Sequence, residues 1–470
     1  MKKIFLALAA MFGIYMISYA TQRYDTVQLL GLYAVLSGLY LYYIYGVDMA
    51  HDKAAIWFGI AGRALLLFSV PNLSDDVYRF VWDGNLLAHG INPFDHLPSH
   101  YVDNQIFITG NTEKLHQLLN SKQYFTVYPP LCQMVFWVCS SSSFGSLTVN
   151  IFLLKIFLFA AECGTLYWLT QLSKHQKSEL LSNIQPRAAV LYALNPLAII
   201  EVCGNVHFEG AMICCLLAGI YYYIQCLENN FEYKTLIYSS LWFSFSICAK
   251  LLPMLFLPLL LLKSKPFWDF KTLLNARFFI NIKTNLILFS KPILMCFLVL
   301  LWTICMYLPF VNATFFSNIF QSIGLYFGKF EFNASLYYML RQAGIAFYGY
   351  NPMNSISNTL NIVVITVILY TALTQKINLI DGMLYVIMAY LCCATTVHPW
   401  YILLPFVLSL LNRSPIPLAW SLLVFVSYSH YYGGQFEENG WLIGLEYTVL
   451  IFIGYFLYQK RLKNDKKVCK

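Results

Sequence analysis

What most constrains this chain is a recurring run of apolar residues long enough to cross a bilayer. Such runs fall near 4–20, 27–45, 54–71, 149–171, 187–203, 208–227, 235–249, 251–263, 292–310, 357–374, 379–396, 399–412, 416–432 and 441–459. A helix rises about 1.5 Å per residue, so roughly 20 apolar residues span the hydrocarbon core. Several runs are shorter, and 235–263 reads as two half-length helices broken at Pro253. Composition closes off the soluble alternative. Charged residues make up 11% of the 470 and hydrophobic residues 59%, whereas a soluble domain carries about 25% charge to coat its surface. The chain therefore reads as one all-α polytopic membrane protein, a bundle of 12–14 transmembrane helices with two structured outer loops. The same balance excludes a nucleic-acid binder, despite the net charge of +8.

Lys and Arg stay on the cytoplasmic side of a membrane protein. With the N-terminus inside, 21 of the 30 fall in cytoplasmic segments, among them the cluster from Lys263 to Lys291 and the tail from Lys460. Seven fall outside (Arg23, Arg79, Lys114, Lys122, Lys250, Lys329, Arg341), and Arg63 and Lys155 lie within spans. Two long segments, 72–148 and 311–356, then emerge on the outer side. Within the first, 130–141 follows Pro129-Pro130 and is too short to span, so it reads as a re-entrant or interfacial helix. Residues 4–20 read as a retained first helix, although Ser18-Tyr19-Ala20 also fits a small-x-small cleavage site. Of the 13 cysteines, 12 lie in apolar stretches without paired CxxC spacing and read as packing residues.

The most informative stretch is Ser74-Asp75-Asp76-Val77-Tyr78-Arg79-Phe80-Val81-Trp82-Asp83-Gly84. Val77, Phe80, Val81 and Leu87 share one helical face, and Tyr78 and Trp82 suit a membrane interface. The expectation is an amphipathic helix lying on the outer surface and opened by two acids. One reading is capping, with Ser74 as N-cap and the acids favouring the helix dipole. The other is chemistry: a carboxylate takes the proton of an attacking hydroxyl, and an arginine three residues on grips phosphate oxygens.

Later elements favour the second reading by their order. Gly90-Ile91-Asn92-Pro93-Phe94 and Tyr128-Pro129-Pro130-Leu131 follow in the same loop. Then come Asn195-Pro196-Leu197 with Glu201, Gly204-Asn205-Val206-His207-Phe208-Glu209, Lys250-Leu251-Leu252-Pro253, Phe332-Asn333-Ala334-Ser335 and His398-Pro399-Trp400-Tyr401. In this order they resemble the bacterial mannosyltransferase-like membrane enzymes of the GT-C superfamily, over about residues 70–405. Ala334 departs from the pattern, where glycine is common, as does Phe208-Glu209, where Asn-Asp often follows the histidine. Both departures bear on substrate detail.

The resemblance implies transfer of a monosaccharide, mannose above all, from a polyprenyl-phosphate donor to an acceptor hydroxyl, inverting the anomeric centre. The acceptor would be a glycan, glycolipid or protein, and the active site would face the periplasm from a bacterial inner membrane. Asp75 or Asp76 would be the general base, the first acid being the usual choice in related loops. Arg79, Lys250 and Arg341 would stabilise the leaving phosphate, with His398 as a further donor. Asn205, His207, Glu209 and Asn333 would orient hydroxyls. No cofactor is required, and a divalent metal at the acid pair stays open.

The charge rule alone puts Asp75, Asp76, Asn205, His207, Glu209, Lys250, Asn333, Arg341 and His398 on the outer side or at outer span ends. Two other readings share the topology: a glycolipid transporter or flippase, and a polymerase or ligase of lipid-linked oligosaccharides. A transporter of this size commonly shows internal repeats and midplane polar sites, and no repeat is visible. Glu162 and Lys155, two turns apart on one helix face, and Arg63 are intramembrane charges that fit a structural contact as well as a functional one.

Overall fold

The computed structural model describes residues 2–46, 53–176, 178–229, 232–263 and 282–468. Cys469 and most of the basic segment between Lys263 and Lys291 lie outside the described residues. Each of the fourteen apolar runs contains helix. Six helices are long and apolar enough to cross a membrane: Thr26–Gly46, Leu147–Leu172, Glu209–Glu228, Ser290–Phe310, Met353–Leu373 and Gly440–Gln459. The others are shorter or broken, as at Pro253 and Pro399, where a 3-10 turn precedes the helix proper. Among the described residues the β pairing is a single bridge between Phe332 and Thr396. This is an all-helical integral membrane protein.

Small and polar residues bring the central helices close. Ser239 and Ser246 donate to the carbonyls of Gly219 and Met212 at 3.0 and 2.8 Å, tying Tyr233–Ala249 to Glu209–Glu228. Gly59 lies against Leu194's neighbour Ala193, whose carbonyl oxygen would be 2.3 Å from any Cβ added there. The first helix, Lys2–Ala20, belongs to this packing: Ile17 and Ser18 are buried, and Asn72 donates to the Ile17 carbonyl at 2.7 Å.

The intramembrane charges are structural. Arg63 and Glu162 form an ion pair at 2.7 Å with both side chains fully buried. Arg63 also donates to the carbonyls of Gly59, Ala193 and Tyr192, while the Tyr192 hydroxyl donates to Glu162 at 2.7 Å. Lys155 does not meet Glu162; its ammonium donates to Leu66, Ser69 and Gly204. Buried charge survives where it is paired and its remaining hydrogen-bonding capacity is filled, and here it joins three helices to the segment that leads into the first long loop.

That loop departs from expectation in one respect. The helix Asp76–Ala88 does not lie on a surface: every residue from Val77 to Leu86 except Tyr78 is buried. The helix Pro130–Ser142, short as expected, covers it, with Phe80 stacked on Phe136 at 4.7 Å. Gly84 permits the approach, since a Cβ there would sit 2.4 Å from the Phe136 carbonyl oxygen. Trp82 is 1% exposed and packs against Tyr101 and His116 rather than at an interface. Residues spaced around the whole circumference are needed to bury a helix this way, and the single apolar face seen in sequence accounts for only part of it.

The two long loops fold together over one end of the bundle. Asn92 donates to the Phe310 carbonyl at 2.8 Å, Asn318 to the Phe94 carbonyl at 2.9 Å, and Phe94 packs between Phe310 and Phe315. The Gly-x-Asn-Pro motif is thus a clasp between loops, with Gly90 at a positive φ of 71°.

Candidate active site

At the end of the bundle covered by the loops, the chain leaves helix Lys53–Leu65 and runs to Asp75 without regular structure. Asn205 fixes the last stretch by accepting from the Leu73 backbone N–H at 3.2 Å, and it is itself held by Glu201 and the Ile200 carbonyl. The acids are not spent on capping. Asp75 occupies the N-cap position with no side-chain cap bond, and Ser74 accepts only from the Asp76 N–H at 3.3 Å. The Asp75 carboxylate is instead paired with Arg23 at 2.7 Å, about a third of each side chain being exposed. Asp76 accepts from Asn120 at 2.9 Å.

The two acids face different neighbours. The charge of Asp76 acts on Lys250, His398 and Tyr128. That of Asp75 acts on Tyr78 and, with Asp76, on Tyr431, whose ring lies 5.0 Å under the Arg23 guanidinium.

Asn195 opens the next motif, capping Ala198 at 3.2 Å and donating to Ser421 at 2.9 Å. One π turn follows over Ile199–Gly204, a feature that recurs at functional positions. Val206 then adopts a positive φ of 64°, a strained geometry for a β-branched residue. Strain of this kind costs about 1–3 kcal/mol and survives where the surroundings fix it. Its result is to set His207 and Glu209 at the same end as the acids. Glu209 is fully buried, and its closest cation is Lys250, 3.1 Å away. Neither Glu209 oxygen has a partner in hydrogen-bond geometry. Burial pulls the Lys250 ammonium down, but Glu209, Cys132 and Asp76 together outweigh it and leave it above its ordinary value.

The late His-Pro-Trp-Tyr motif completes the wall. The His207 ring stacks on Trp400 at 3.7 Å, and Trp400 stacks on His398 at 4.4 Å. His207 Nε2 lies 3.4 Å from Glu201, which also accepts from Tyr428 at 2.8 Å. Burial pushes the His398 imidazole down to about 3, against the pull of Asp76, so the ring is neutral at ordinary pH. A neutral imidazole offers one donor and one acceptor, which suits a hydroxyl.

Four expected site residues are placed elsewhere or otherwise engaged, Asn205 among them, since its amide is spent on Leu73, Ile200 and Glu201 rather than on a hydroxyl. Arg79 is buried and bound through Nε to Asp83 at 2.7 Å and through Nη1 to the Ser121 and Tyr124 carbonyls, so it braces the loop. Arg341 is paired with Glu331 and lies over the Tyr338 ring, in a second cluster. Asn333 is a buried corner at a positive φ of 49°, a conformation asparagine tolerates. It donates to Glu438 and Glu446, and its carbonyl accepts from Tyr447. Among the described residues no group of three His, Cys, Asp or Glu side chains is arranged to hold a metal ion.

Sequence reasoning missed Arg23, Asn120, Tyr428, His430 and Glu438. Arg23 had a signal, as the one basic residue in the turn between the first two helices. His430 and Glu438 sat at the end of an apolar run without a motif.

Polar groups gathered from distant segments, over one end of a lipid-embedded bundle, are the equipment of a membrane enzyme that works on a substrate at the bilayer edge. The family profile described as alpha-(1->6)-mannopyranosyltransferase, N-terminal domain, matches residues 7–264, and the chain belongs to that family. It is an integral membrane glycosyltransferase of mannosyltransferase type. No curated protein and no solved structure matches it. Asp75, Asp76, Arg79, Asn205, His207, Glu209 and Lys250 lie inside the matched stretch; Asn333, Arg341 and His398 lie beyond it.

Proposed function

We propose that the enzyme transfers a mannosyl group from a polyprenyl-phosphate donor to a hydroxyl of a glycan or glycolipid acceptor, on the periplasmic side of a bacterial inner membrane. The family description adds an α-(1→6) linkage, so the acceptor atom would be the 6-oxygen of an acceptor sugar. The observation that carries the reading is Asp76: a part-exposed carboxylate, free of capping and, among the described residues, of any ion pair, whose charge acts on Lys250 and His398.

The chemistry is a single displacement. The acceptor oxygen attacks the anomeric carbon as Asp76 takes its proton, and the bond from that carbon to the phosphate oxygen breaks, its electron pair leaving on the lipid phosphate. A phosphate leaving group needs charge stabilisation more than protonation. Arg23 is paired with Asp75, and Lys250 lies within the field of Asp76; these two cations replace Arg79 and Arg341 in this role. Neutral His398, with His207 aligned behind Trp400, would orient sugar hydroxyls. Inversion to an α-product requires a β-linked donor. We propose no required metal.

The test is transfer by the purified chain in nanodiscs from tritiated β-mannosyl polyprenyl phosphate, compared with the α-anomer and with GDP-mannose. Label in an α-(1→6) product from the β-lipid alone supports the reading. Equal use of GDP-mannose would overturn the lipid donor, and equal use of the α-anomer would overturn inversion.

A further inference from the structure

A second polar cluster adjoins the first and takes no part in the chemistry above. The strand-like segment Glu331–Ser335 runs beside Thr395–His398, with the Phe332 N–H donating to Thr395 at 3.0 Å and Val397 donating back at 2.8 Å. Glu331 is gripped by Arg341, Tyr337 and Asn351, and Glu438 by Tyr338 and the Asn333 N–H. Both carboxylates keep nearly a fifth of their side chain exposed.

Beside each of them lie polar atoms that the protein leaves unused. His430 is 1% exposed, and neither ring nitrogen has a hydrogen-bond partner; Nδ1 is 3.9 Å from Glu438. Arg341 Nε and Asn351 Oδ1 are also buried without partners. Native proteins leave few such atoms, because each costs the desolvation of a polar group. Several in one neighbourhood indicate a ligand whose own polar groups complete them.

The chemistry narrows the ligand. Two carboxylates against one arginine, itself already paired, repel a phosphate. Carboxylates, a carboxamide and an imidazole suit alternating donors and acceptors, which is the pattern of sugar hydroxyls. Aromatic faces stand beside them. Phe436 is 55% exposed and packs against Phe332 and Tyr431. The position is also right: Phe332 touches His398 at 4.7 Å and His430 at 5.1 Å, and Tyr431 feels the charges of Asp75, Asp76 and Glu438 alike.

We propose that Glu331, His430, Glu438 and Asn351, with Phe436 as a stacking face, form the subsite that binds the neutral sugar ring of the acceptor. The proposal rests on the transferase reading and assigns its second substrate. His430 and Glu438 are specificity-determining groups that hold the acceptor hydroxyl toward Asp76.

The test uses the full chain in nanodiscs with β-mannosyl polyprenyl phosphate as donor and methyl α-mannopyranosyl-(1→6)-α-mannopyranoside as acceptor probe. His430→Phe keeps the ring and removes two nitrogens that bind nothing in the protein, so folding should survive. Glu438→Gln is the second variant. Each should raise the acceptor KM about tenfold or more and leave the donor KM within about twofold, in keeping with the loss of a built hydrogen bond. An unchanged acceptor KM in both variants, or a shift in the donor KM instead, overturns the subsite.

Saturation-transfer NMR with the same dimannoside separates the two claims. If the wild type transfers nothing, binding that His430→Phe and Glu438→Gln abolish keeps the subsite while the transferase reading falls. Binding equal in all three chains overturns the subsite.

Discussion

Among the ion pairs that bury their acid completely, Arg63–Glu162 and Lys250–Glu209 differ most in what surrounds it. Glu162 is enclosed by Arg63 and the Tyr192 hydroxyl, each at 2.7 Å, and Arg63 spends its other donors on three carbonyls. Glu209 has only Lys250, which is 3.1 Å away, outside hydrogen-bond geometry and about a fifth exposed. The first pair is closed, and every polar atom in it has been answered by the protein. The second is open toward the end of the bundle where the acids and histidines gather. Buried charge alone therefore does not mark a site in a membrane bundle. Hydrogen-bonding capacity left unfilled beside an accessible face does.

The comparison predicts opposite consequences for similar substitutions. Glu162→Gln strands Arg63 among apolar helices and should cost roughly 3–5 kcal/mol. Thermal unfolding in detergent would show this as a large drop in Tm or loss of monodisperse protein. Arg63→Met with Glu162→Leu should recover much of it, since an apolar replacement of a buried pair is often neutral. A stable Glu162→Gln protein with lost transfer would break the distinction.

Glu209→Gln should do the reverse, because Lys250 keeps contact with solvent. Its Tm should stay close to that of wild type while the transfer rate falls about 100-fold, the scale of removing one preorganised electrostatic group. Unfolding of this variant would place Glu209 with the closed pair.

His398 gives the smallest effect. Its imidazole is held near 3 by burial, against about 6.5 in an unfolded chain. The folded value is the lower one, so the stability it confers is complete above about pH 6.5 and is lost as pH falls from there toward 3. Between pH 7 and 9 the ring does not titrate, and the pH–rate profile of His398→Gln should keep the wild-type shape while its height drops. A change in the alkaline half of that profile would contradict a neutral His398.

Much of the site was legible because charge counts and motif order are local records of a non-local arrangement. The side rule placed Asp76, Glu209, Lys250 and His398 together, and the structure joins them by distance and field. Arg79 was misjudged through a partner already present in sequence: Asp83, four residues on, is at the spacing of a helical ion pair. Arg341 could not be judged so, because whether Glu331 claims it depends on how the second loop folds back. The full burial of helix Asp76–Ala88 depends on Pro130–Ser142, and the contact needs Gly84, whose role shows only when Phe136 is in place. His430 and Glu438 leave no mark in the sequence because their meaning lies in what the surrounding residues fail to supply.

The most direct test of the account is mannosyl transfer by membranes holding equal amounts of wild type, Asp75→Asn and Asp76→Asn. Loss of a general base costs about 10²–10⁴-fold, so Asp76→Asn should fall by at least 100-fold with an unchanged Tm. Asp75→Asn, which only frees Arg23, should fall by tenfold or less. Loss confined to Asp75→Asn would move the base to the paired acid and contradict the assignment made from the geometry.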